Sequence, residues 1–166
     1  IEDMKILIIN FQYVERQLTG EMMEIRQNWT PIKLKAVDDK DLQIFSQILY
    51  ESIVLPSEIK FEEKKQRFAM AIERFTWEHA KDEGHLLMQV LSILVIHYVE
   101  KVDLKNISNN YKIKNILSIS NIDNNILIML NDGEIITLKV KKCFCLLEDI
   151  GKPIYPSIIP TYSKND

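Results

Sequence analysis

The stretch "NNILIMLNDGEIITLKVK", residues 124–141, constrains the fold of this chain more than any other part of it. Apolar residues alternate along both arms, as in half-buried strands, and the arms meet at Asn131-Asp132-Gly133. Aspartate and glycine tolerate the positive φ of a tight reversal, so the segment predicts a β-hairpin and points the chain toward an antiparallel sheet.

Upstream, Ile32, Leu34 and Ala36 alternate as a strand, and Asp38 follows as a helix N-cap with Asp41 three residues on, where a carboxylate is favoured. Leu42, Phe45, Ile48 and Leu49 then share one helical face. Pro56 interrupts "ESIVLPSEIKF", which reads as an edge strand or as two short strands joined by a bend. In "RFAMAIERFTWEH", residues 67–79, a strand would put Phe68, Met70 and Ile72 on one face and Phe75 and Trp77 on the other. That switch needs a bulge near Glu73 and Arg74, or burial on both faces. A helix would also align Phe68, Ile72, Phe75 and His79, making residues 62–100 two helices broken at Gly84. The β-branched density of residues 86–104 (Val90, Ile93, Val95, Ile96, Val99, Val102) favours strands. "KKCFCLLEDIGKP" predicts a closing helix with Cys143, Phe144, Leu147 and Ile150 on its apolar face, Gly151 as cap and Pro153 as stop.

A chain of 166 residues with 46% apolar content can bury a self-sufficient core as one domain. Residues 1–30 read as an N-terminal appendage, with a weak helical stripe through Val14, Leu18, Met22 and Ile25 and an alternative start at Met22 or Met23. Residues 31–155 form the domain and 156–166 a tail. The expected fold is α+β: a curved, mainly antiparallel sheet of about seven strands, one helix in the N-terminal half and one at the C-terminus. A hairpin followed at once by a helix is the order of pleckstrin-homology-like half-barrels.

The formal net charge of −3 and the absence of a basic face argue against broad capture of nucleic acid. The longest apolar run, residues 86–96, contains Gln89 and Ser92 and falls short of the roughly 20 residues that span a bilayer, so no membrane partner is expected. The two cysteines, Cys143 and Cys145, are poorly spaced for a disulfide with each other, which suits a reducing, cytoplasmic setting.

Several stretches together resemble one family: "KLKAVDDKDL", "RFAMAIERFTWE", "VEKV", "NILSISNID", "GEIITLKV" and "LEDIGKP", in that order. Spanning Ile32 to Tyr155, they resemble an uncharacterised alphaproteobacterial family known as a domain of unknown function, number 2948. The family pattern usually has asparagine at the position of Glu73, aspartate at that of Thr76, and a cysteine near Lys142 rather than at Cys143 or Cys145. These departures set asparagine- and thiol-based chemistry aside, and the family brings no assigned activity with it.

No nucleophile elbow, glycine-rich phosphate loop or His-Glu-x-x-His motif is present, so no catalytic residue and no cofactor is assigned. His79, Asp82 and His85 are weak metal candidates, since their spacing matches no compact zinc motif. His97, amid Val95, Ile96 and Tyr98, reads as a packed strand residue. Arg67, Arg74, Phe75, Trp77 and Glu78 form the candidate partner-binding set. An arginine stacked on tryptophan and held by a carboxylate serves as structural glue or as an interface hot spot. The expected function is a non-catalytic protein-binding or scaffold module that meets a protein partner or a second copy. The alternatives are a metal-assisted hydrolase, and an RNA- or ribosome-associated protein using the lysines of "YKIKN" and "KVKK".

Overall fold

The computed structural model describes residues 28–79, 87–104, 106–107 and 112–155. Most of the appendage, the tail, Asp82 and His85 lie outside the described residues. Strand β1, Lys33–Ala36, leads into helix α1, Asp39–Leu49. The helix start is capped reciprocally: Asp38 Oδ1 accepts from the Asp41 N–H at 2.9 Å and Asp41 Oδ2 from the Val37 N–H at 2.9 Å. Leu42, Phe45 and Leu49 form its buried face, and the chain leaves it through Glu51 at φ 63°. The proline segment resolves into β2, Ile53–Val54, a single 3-10 turn at Pro56–Glu58, and β3, Ile59–Glu62. Then follow β4, Arg67–Phe75, β5, Gln89–Ile96, β6, Val99–Asp103, and β7, Lys114–Ile122. The hairpin is β8, Asn125–Leu130, and β9, Ile135–Val140, turning through Asp132 at φ 63° and Gly133 at φ 74°. Last comes β10, Cys145–Asp149.

These form one open antiparallel sheet in the order β1-β10-β5-β4-β2-β7-β8-β9-β6, with β3 attached to β4. Ten strands are present among the described residues, where about seven were expected. The sheet curls around α1, so that one core joins Phe45 and Leu49 of the helix to Phe68, Met70 and Leu94 on one half and Ile116, Ile128 and Leu138 on the other. Each such buried side chain contributes on the order of 1.5–3 kcal/mol relative to exposure. That burial is what holds the helix inside the curve.

β4 is extended, as the strand reading requires, and pairs with β5 in unbroken register from Phe68↔Ile96 to Phe75↔Gln89. It is buried on both faces, and the bulges lie elsewhere, between Val99 and Lys101 and between Ile116 and Ser118. The C-terminal helix is overturned. Residues 145–149 form a strand between β1 and β5, with Cys145, Leu147 and Asp149 buried in alternation. The order that suggested a pleckstrin-homology-like half-barrel goes with it, because the helix that fills the curve falls between β1 and β2. Beyond β10 the chain continues alongside β5. The Ile150 and Gly151 N–H groups donate to the Leu91 carbonyl at 2.9 and 3.2 Å, and Ile154 exchanges two backbone bonds with Gln89. Gly151 passes so close that a Cβ there would lie 3.3 Å from Leu91 Cβ.

Candidate functional site

Alternation along β4 carries Arg74 to the same inner face as Phe68, Met70 and Ile72, where its side chain is fully buried. A lone cation there would be strongly destabilising, and the fold surrounds it with acceptors. Nε donates to Asp149 Oδ1 and Nη2 to Asp149 Oδ2, both at 2.8 Å. Nη2 also donates to Glu78 Oε1 at 2.8 Å, while Nη1 donates to Glu78 Oε2 at 2.9 Å and to the Phe75 carbonyl at 3.1 Å. All five guanidinium N–H groups are thereby used. Asp149 accepts further from Ser92 Oγ at 2.7 Å and from the Ile32 N–H at 2.9 Å, and the Trp29 ring lies 5.8 Å from the guanidinium centre.

Register explains the meeting. Asp149 pairs with Ser92, and Ser92 pairs with Ile72, so the carboxylate stands one inward step along the sheet from Arg74. Burial alone would lower the arginine pKa, but the hydrogen bonds from Asp149 and Glu78 outweigh it and raise the pKa above the usual range. One cation against two carboxylates leaves a formal charge of −1, reaching solvent through the Glu78 side chain, 33% exposed. No N–H remains to receive an incoming anion. The network ties β4, β10 and the approach to β1 to the short turn Trp77–His79.

Of the candidate partner-binding residues, Arg74, Phe75, Trp77 and Glu78 come together, and Arg67 does not. Arg67 stands at the other end of β4, with Nε 3.0 Å from Glu62 Oε1, in a cluster completed by Lys65 at 2.8 Å. Lys65 first, then Arg67, hold the Glu62 carboxyl down at about 2. Phe75 is buried on the outer face of β4, so its part in any contact, like that of Arg74, is indirect. Trp77 does not stack on Arg74, a place taken by Trp29. Its indole Nε1 donates to the Tyr50 carbonyl at 2.8 Å, and its ring lies 5.7 Å from that of Phe75 and 6.2 Å from that of Tyr50. Trp77 is half-buried and Tyr50 is 38% exposed, and their rings make an aromatic ledge that leans on Phe75.

Asp149, Ser92 and Trp29 belong to the network but not to the candidate set read from sequence. The available signal was the acid in the third place of Cys145-Leu147-Asp149, a charge at a core position of an alternating run. Among the metal candidates, His79 closes the Trp77–His79 turn, and the described residues contain no group of three potential ligands. The two thiols are free, Cys145 buried and Cys143 half-buried. Their mutual hydrogen bond lowers the Cys143 pKa, and with burial it pushes Cys145 up. His97 sits in the turn between β5 and β6, edge-on to Phe144 at 5.5 Å. Lys114 is withdrawn from the surface, 2.7 Å from Glu134 in a buried ion pair. Lys112 is exposed and paired with Asp132 at 2.9 Å.

No helix among the described residues is long and apolar enough to cross a membrane. No curated protein and no solved structure matches the chain. Residues 32–162, the curved sheet with its helix and buried arginine included, match the model of the family described as protein of unknown function (DUF2948), and the chain belongs to that family.

Proposed function

We propose that this chain is a non-catalytic protein-binding module whose contact surface is the ledge of Tyr50 and Trp77. The observation that carries the reading is the fixing of Trp77, half-buried and tied through its indole N–H to the Tyr50 backbone. Tryptophan and tyrosine that are already ordered lose little freedom on binding and supply large contact areas, which is why they dominate interface hot spots. The saturated guanidinium of Arg74 supports a bracing role, holding the Trp77–His79 turn through Glu78, over a role in chemistry. The free thiols support a reducing, intracellular home for the module.

The test is affinity purification from the native cell, with light scattering of the purified protein beside it to detect a second copy as the partner. Wild type should retain at least one protein, or a dimer, that Trp77→Ala loses while keeping its circular dichroism spectrum. An identical set of retained proteins and an identical mass for the two would reject the ledge as the contact surface.

A further inference from the structure

The two thiols lie at the entry to β10, apart from the network of Arg74. Cys145 is the first residue of that strand, fully buried, and pairs with Ala36 on one side and Ile96 on the other. Cys143 precedes the strand and is half-buried, next to the exposed Lys141 and Lys142. Phe144 between them turns the other way, its ring edge-on to His97 at 5.5 Å and to Tyr98 at 6.0 Å. Alternation therefore sets both sulfurs on the side of the core cluster, with Cys145 inside it and Cys143 packed against it. There the two thiols are hydrogen-bonded to each other.

A spacing of two residues is unfavourable for a bridge, yet two extended steps span about 6.6 Å, at the upper end of what a disulfide joins. Cys143 stands outside the β10 ladder, which begins at Cys145, so the approach that a bond needs breaks no pair of that ladder. The described residues bring no group of three ligands together, which sets a tetrahedral metal centre aside. The two sulfurs are also unequal. Cys143 is the more exposed, and its sulfur accepts the Cys145 S–H, which keeps its pKa below the ordinary thiol value against burial and the carboxylates of Asp39, Asp38 and Asp41. Those carboxylates disfavour an anionic oxidant, and a neutral hydroperoxide is the class that fits. We propose that Cys143 and Cys145 are a reversible oxidation site for hydroperoxides, with Cys143 the attacking sulfur and Cys145 the resolving one. In the first step the Cys143 sulfur bonds the distal peroxide oxygen and the O–O bond breaks. The sulfur is oxidised by two electrons to a sulfenic acid, and the peroxide is reduced to an alcohol, or to water, that carries off the Cys143 proton. In the second the Cys145 sulfur attacks that of Cys143, so that the S–S bond forms, the S–O bond breaks, and hydroxide leaves as water with the Cys145 proton.

The probe is hydrogen peroxide in slight excess over the full, reduced chain, read by intact mass. The mass should fall by two hydrogens, return with dithiothreitol, and show no covalent dimer on a non-reducing gel. An unchanged mass, a gain of oxygen without loss of hydrogen, or a disulfide between two chains overturns the site. The roles of the two sulfurs are read separately. In the unoxidised wild type, iodoacetamide should label Cys143 at least about tenfold faster than Cys145, and equal or reversed rates overturn the assignment of the attacking sulfur. Cys145→Ala, checked by circular dichroism, should stop at a sulfenic acid that dimedone captures on Cys143, and Cys143→Ser should give no such adduct. Adducts of equal yield in the two variants, or none in a folded Cys145→Ala, overturn the sequence of steps. Should Cys145→Ala fail to fold, the wild-type mass and labelling rates decide alone.

Discussion

Two charged side chains adjacent on β4 meet opposite fates, and their stabilities should respond in opposite ways. Arg74 is buried with every N–H engaged, so cutting it to methionine leaves Asp149 and Glu78 facing each other without a cation. Breaking such a buried pair costs about 3–5 kcal/mol, and Arg74→Met should show a loss of that order in urea denaturation. Adding Asp149→Leu should recover part of it, since an unpaired buried carboxylate is worse than none. For Glu73 the folded-state pKa lies above its ordinary value of 4.5, because burial disfavours the charged form. A raised pKa contributes stability at low pH that is lost as pH rises through the folded value. Glu73→Gln should therefore be more stable than wild type at pH 7, with the gap narrowing below the ordinary carboxylate value. Urea midpoints at pH 4 and pH 7 check this, and a gap of the same size at both would refute it.

Elements whose signals are local were legible. Helix α1 shows its cap in Asp38 and Asp41 and its buried face in Leu42, Phe45 and Leu49, all within a dozen residues. Replacing Asp38 by alanine removes one partner of the reciprocal cap and should lower stability by about 1 kcal/mol in the same denaturation assay. The hairpin at Asn131-Asp132-Gly133 was equally readable, and the division of the proline segment into β2 and β3 was one of the two readings it offered, because turn chemistry acts over a few residues. β10 was not. Cys143, Phe144, Leu147 and Ile150 satisfy helical spacing, while the alternation that forms the strand places Asp149 at a core position. An acid inside makes sense only beside Arg74, which lies 75 residues earlier in the chain. The same separation hid half of the candidate site: Arg74, Phe75, Trp77 and Glu78 share one stretch, whereas Ser92 and Asp149 reach Arg74 through strand pairing.

At the scale of the molecule, composition and period identified an α+β domain with an antiparallel sheet, but the order of its strands was not legible. Local alternation says that a strand has a dry face without saying which neighbour covers its edges. β2, two residues long, sits between β4 and β7 and joins the two halves of the sheet. β10, the last strand of the described residues, inserts between β1, their first, and β5, from the middle. That placement sets a schedule for biosynthesis. While the ribosome has yet to release residues 145–149, β1 lacks its partner β10, the edge of β5 that β10 covers is bare, and Arg74 lacks one of its two carboxylates. Completion of the fold thus waits on residues 145–149, and a polypeptide that stops before Cys145 is one for the cell's proteases rather than a smaller working version.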